Sequence, residues 1–176
     1  MAEHTVKAFD DEIGKLRGLV AEMGGLAEVA IAGAVKALIE HDHDLAAKVV
    51  AADHKLDALE AEVDRLAVRI IALRAPMADD LRDVIAALKI SGVIERIGDI
   101  ERQTKFEPLT LIPAMAEIAQ GMVHDVLNAF AARDAIAATD VIKRDDKVDN
   151  FYDSIFRNLV SHMMENPSTI SSAAQL

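Results

Sequence analysis

Apolar residues recur along this chain at alternating three- and four-residue steps, the spacing of one face of an α-helix. Over 5–40 the row runs Phe9, Ile13, Leu16, Leu19/Val20, Met23, Leu26, Ala30, Val35 and Leu38. A second row over 44–74 runs Leu45, Val49, Ala52, Leu56, Leu59, Val63, Leu66, Ile70 and Leu73. Between them "HDHD", residues 41–44, reads as a helix end followed by an aspartate able to cap the next start. Pro76 stops the second row, because proline disfavours helical backbone in the residue before it. A third helix opens near Met77 or Ala78. The proline-bearing "FEPLTLIP", residues 106–113, reads as the linker. Two further helices are predicted over 114–132 and 134–165, and the tail "NPSTISSAAQL" is weakly patterned. No period-two alternation survives anywhere, so the pattern predicts an all-α fold.

The pattern also repeats. Residues 37–57, "ALIEHDHDLAAKVVAADHKLD", align without gaps on 129–149, "AFAARDAIAATDVIKRDDKVD". Apolar matches between amphipathic helices come cheaply. A shared D-x-K-[LV]-D at Asp53/Lys55/Asp57 and Asp145/Lys147/Asp149 is harder to obtain by chance, and it points to two copies of one helical unit.

The third helix breaks its own pattern. In "VIERIGD", residues 93–99, Glu95 continues the row Leu81–Leu88 and Asp99 continues the row Ile85–Gly92. Both acids are therefore expected on a core-facing seam, one turn apart and on one side of the helix. Two like charges on a half-buried face are unfavourable without a counter-cation. Arginine is one source: Arg96 and Arg102 follow on the same helix, and Arg65, Arg69 and Arg74 lie on the preceding one. A metal ion is the other. Asp53 and Asp57 repeat the acid-x-x-x-acid spacing on the neighbouring helix, and four carboxylates from two packed helices suit hard cations or iron. Asp145 and Asp149 supply the same pair in the second repeat. Glu60, Asp64 and Asp153 extend the acid rows and read as solvated edges. Glu40 and His43 have Glu-x-x-His spacing, but they straddle a helix end, and His54, His124 and His162 read as surface residues.

Composition narrows the classes. The chain has 176 residues, 52% of them apolar, yet no run approaches about 18 uninterrupted apolar residues, so no membrane insertion is expected. With no cysteine there are no disulfides and no thiolate metal sites. A net charge of −11 with 3% aromatic residues argues against nucleic acid as a partner. Phosphate-binding glycine loops and nucleophile elbows are absent, so direct phosphate binding is not expected.

With these residues in place, the chain resembles the PhoU family, accessory proteins of bacterial phosphate signalling. The similarity runs through 4–16, "HTVKAFDDEIGKL", through "MGGLAEVAI", and nearly continuously through 69–99, "RIIALRAPMADDLRDVIAALKISGVIERIGD". It resumes at "VHDVLNAFAARD" and "RDDKVDNFYDSIFRNLVSHMMENP". The resemblance implies tandem antiparallel three-helix bundles, divided here as 1–106 and 107–176, each with an acid-x-x-x-Asp metal motif. Glu95 and Asp99 match the first motif, with Asp53 and Asp57 opposite, and Asp145 and Asp149 match the second bundle's partner helix. Iron, zinc, manganese or magnesium are the ions implied. A second "ERIGD" is expected one repeat further on, past Leu176, so the second bundle is expected to lack its last helix in this sequence, a longer polypeptide supplying it. The family role implied is regulatory, not enzymatic. The resemblance implies a cytoplasmic protein, peripheral at the inner membrane through its partners, that links the ATPase subunit of the Pst transporter to a sensor histidine kinase, and the exposed helical face leads us to expect a homodimer. The residues alone leave two alternatives open, a carboxylate-bridged metal store or oxidase and a purely structural helical adaptor. The lack of histidine among the acids weighs against a redox di-iron centre.

Overall fold

The computed structural model describes residues 2–100 and 111–165, with the side chains of 2–6, 97–100, Leu159, His162 and Glu165 outside that description. Its elements are α1 (Ala2–Glu40), α2 (His43–Ala52), α3 (His54–Arg74), α4 (Asp79–Ile100), α5 (Ile112–Ala132), α6 (Ala135–Ile142) and α7 (Asp145–Glu165). The fold is all-α, without a strand among the described residues.

Two predicted helices are each divided. The 44–74 helix breaks at Asp53, and the 134–165 helix breaks at Lys143 and Arg144. Aspartate competes for backbone donors and weakens helix interiors. Beyond the second break the bonds tighten to three-residue spacing, Arg144 N–H to Val141 O at 2.9 Å and Lys147 N–H to Arg144 O at 3.0 Å. The first break falls where the chain passes between compact units. One unit is Met1–Ala27 with Ala52–Asp99, and the other is Glu28–Ala51 with Ile100–Leu176. The repeat boundary and the unit boundary are thus different divisions of the chain.

In the first unit, Ile13, Leu16, Leu19, Val20, Met23 and Ala27 of α1 meet Leu56, Val63, Leu66, Ala67 and Ile70 of α3 and Val84, Ala87 and Ile94 of α4 in a buried core. Burying the valine, leucine, isoleucine and methionine side chains among these contributes about 1.5–3 kcal/mol each before entropy is charged. Ion pairs at its margin fix the directions. Glu12, near the start of α1, meets Arg74 at 2.8 Å and Arg69 at 3.5 Å near the end of α3, so these helices are antiparallel. Arg17 pairs with Asp83 on α4, and Lys15 reaches Glu62 at 2.6 Å.

In the second unit, Ile155 of α7 is buried against Leu111, Ile112, Met115 and Met163. Gly33 of α1 lets α2 come close, since a Cβ there would stand 2.7 Å from Val49 Cγ2. Gln120 of α5 donates to the Glu28 carbonyl at 2.7 Å.

The repeat is visible in the turns. His41 and Arg133, equivalent by the alignment, both hold left-handed backbone at φ 52° and 54°. The next residue's N–H then reaches back five positions, Asp42 to Ala37 O at 3.0 Å and Asp134 to Ala129 O at 2.8 Å. The same aspartates cap the following helix, Asp42 accepting from Leu45 N–H and Asp134 from Ile136 and Ala137 N–H. Within Lys7–Glu40, α1 is long and apolar enough to cross a membrane by length and composition alone, which a core helix also satisfies. Its first half supplies the core just described.

Candidate functional site

The α3–α4 hairpin sets the acids of α3 and α4 on two adjacent helices. Antiparallel helices keep a fixed register, and one contact sets it: a Cβ on Gly92 would lie 3.6 Å from Glu60 Oε1. With Glu60 level with Gly92, Asp57 stands level with Glu95 one turn on, and Asp53 with Asp99 a turn beyond that. The residues flanking the "VIERIGD" acids and the D-x-K-L-D acids therefore share two adjoining levels of one hairpin.

The four are not equivalent. Asp53 sits at the N-cap position of α3 and is buried to 6% exposure. Asp57 is exposed and lies 3.7 Å from the ring of His54, an ion pair only when that histidine is protonated. Glu95 is partly buried. Asp99 belongs to α4, but its side chain lies outside the described residues. In the second repeat Asp145 opens α7 and Asp149 follows one turn later, both exposed. Among the described residues, no group of three or more histidines and acids is already gathered around a point.

Three readings of the sequence change here. The buried seam of α4 is Val84, Ala87, Ser91 and Ile94, whereas Leu81 and Ile85 are 37% and 38% exposed. Glu95 therefore flanks the core instead of facing it. Both apolar rows satisfy a helical period, and the pattern alone does not choose the one that faces α1. Arg69 and Arg74 are committed to Glu12, away from the acid levels. Glu60, read as a solvated edge, is instead partly buried against α4. Burial pushes its carboxyl above the usual range, and the neighbouring charges of Asp64 and Asp57 push further in the same direction. The signal was available: Asp53, Asp57, Glu60 and Asp64 form a continuous helical row, and glycine at 92 leaves room opposite. His54 and His124 are surface residues as expected, and His162 has its side chain outside the described set.

A PhoU domain matches residues 20–101 and again 112–176, one match to each repeat. The phosphate-specific transport system accessory protein PhoU homolog of Zymomonas mobilis is 46% identical over 98% of this chain and 78% of its own length. The Caulobacter vibrioides homolog is 42% identical over the whole chain and 82% of its own length, and Escherichia coli PhoU is 36% identical over 97% and 75%. The crystal structure of PhoU from Pseudomonas aeruginosa superposes with a TM-score of 0.86 at 34% identity, over 95% of this chain and 86% of that one. Two domain matches, near-complete coverage by relatives and the shared helical architecture agree: this chain belongs to the PhoU family.

Proposed function

We propose that the chain is a regulator that restrains phosphate uptake and keeps phosphate-starvation genes repressed when phosphate is abundant. In this reading it acts as a cytoplasmic adaptor between the ATPase subunit of a Pst-type transporter and a sensor histidine kinase. The observation that carries the reading is similarity, across nearly the whole chain, to proteins named as accessories of the phosphate-specific transport system. The family is one of accessory proteins, not of enzymes. Deleting the gene, in a host without a second copy, should derepress alkaline phosphatase in phosphate-rich medium. Normal repression in the deletion strain overturns the regulatory reading.

In the same proposal, Asp53, Asp57, Glu95 and Asp99 hold a metal ion between α3 and α4, and Asp145 with Asp149 form the second repeat's weaker half-site. Support comes from the shared register of the four acids and from the donor set, all carboxylate oxygen, which suits magnesium, manganese or iron and accepts zinc. The ion would supply positive charge that ties two acidic helices together. Replacing Glu95 and Asp99 by Gln and Asn should abolish metal uptake at that site while leaving the helices intact. Unchanged metal content overturns the site and favours the structural alternative, in which arginine, lysine and histidine neutralise the acids.

A further inference from the structure

The α3–α4 hairpin carries a second feature beside the acid levels. Its outward side, turned away from the α1-facing core, has exposed apolar residues near the turn: Val68 is 63% exposed, Leu81 37% and Ile85 38%. Val68 stands one helical turn beyond Asp64, which stands a further two turns beyond Asp57, so the apolar patch runs into the acids along one stripe. From Glu60 to Val68 the stripe spans about 12 Å at the helical rise, the length of two turns of a docked helix. Isolated exposed apolar residues need no account, but these lie side by side on two helices at adjoining levels, as the Gly92–Glu60 register places them. Lys89 borders the stripe on α4.

We propose that this face of the first unit docks a cationic amphipathic helix of a protein partner, its leucine-type residues on Val68, Leu81 and Ile85 and its basic residues on Glu60 and Asp64, which the metal site leaves unused. Charge complementarity selects that occupant. A chain of net charge −11 repels anionic lipid, whereas a basic helix is steered to the acids and anchored by the apolar end. The inference rests on the adaptor reading and supplies the chemistry of the segment that would be bound.

The test is fluorescence anisotropy on the full chain with two labelled synthetic helical peptides. Both carry leucines at i, i+3, i+4 and i+7, and they carry lysines or glutamates, respectively, at the flanking positions. The lysine peptide should bind and the glutamate peptide should not. Ile85→Lys and Asp64→Lys should each weaken binding about tenfold or more. Circular dichroism checks that both variants keep their helices, and Asp64 is exposed, so its variant stands if the other fails to fold. Equal binding to wild type and both variants would reduce the effect to general attraction and overturn the proposal, as would no binding of the lysine peptide. Sedimentation that shows Ile85→Lys breaking a wild-type oligomer would overturn it too, making a second copy the occupant. These outcomes are read as binding and size, so they leave the alkaline phosphatase test of the adaptor reading independent.

Discussion

Two carboxylates show how the same side chain takes opposite roles according to its neighbours. The Arg74 guanidinium bonds Glu12 at 2.8 Å and holds its carboxyl below the usual range, with Arg69 adding to the effect. A depressed folded value contributes stability above the ordinary carboxylate range, and that stability is lost as pH falls through the folded value. Glu12→Gln should therefore cost about 1 kcal/mol at neutral pH, modest because the pair is partly solvated. Thermal melts across pH should show the cost shrinking to nothing in acid, and a cost unchanged by pH would assign it to packing. Glu60 runs the other way, since burial and the charges of Asp64 and Asp57 raise its value. Its contribution is fully present below the ordinary carboxylate range and is lost as pH rises through the folded value. In metal-free protein, Glu60→Gln should thus stabilise by about 0.5 kcal/mol at neutral pH and change nothing in acid. Destabilisation at neutral pH in EDTA would show that the carboxylate makes a bond worth more than the repulsion.

At the scale of elements, helix ends carry a strain that sequence patterns hide. Ala75 ends α3 in left-handed backbone at φ 46° and Arg133 ends α5 at φ 54°, where glycine is the unstrained choice. Ala75→Gly should stabilise by about 1 kcal/mol. A lowered melting temperature would mean that the Ala75 methyl makes contacts worth more than the strain. Helix existence was legible from the 3.6-residue period, and so was the repeat, because "HDHD" and "ARDA" encode one cap. The breaks at Asp53 and Lys143–Arg144 were not legible, since apolar positions continue in phase across both. Nor was the buried face of α4: the row Leu81–Ile85–Leu88 is larger and more apolar than Val84–Ala87–Ser91–Ile94, yet the smaller row is buried. Small residues let helices approach closely, and a hydropathy pattern scores size as oiliness. The acid spacing was legible as chemistry and included Glu60 in its row, and the structure adds that Glu60 is the member set against Gly92.

For the molecule as a whole, the governing quantity is an excess of negative charge gathered along one hairpin. Without a cation, Asp53, Asp57, Glu60 and Asp64 on α3 repel each other and Glu95 on α4, and part of that repulsion is beyond the reach of solvent because Asp53 is buried. Added sodium chloride should therefore raise the melting temperature of metal-free protein by screening. A divalent ion bound only by the folded state should raise it further, by RT ln(1 + [L]/Kd), about 2.7 kcal/mol at a hundredfold excess over Kd. The two repeats should differ. The first sets four acids on two helices at matched levels, while Asp145 and Asp149 are exposed on α7 and leave more of an ion's coordination to water. Acidification does not substitute for chelation, because protonation expels the metal and relieves the repulsion at once. The measurement is thus a melt at fixed neutral pH, with and without EDTA, on protein loaded in turn with iron, manganese, zinc and magnesium, beside the Glu95→Gln/Asp99→Asn variant. Wild type should lose stability on chelation for at least one of these ions, and the variant should not respond. Coincident curves for every ion and for EDTA would mean that the chain's own cations already neutralise these acids, and the metal site would be withdrawn.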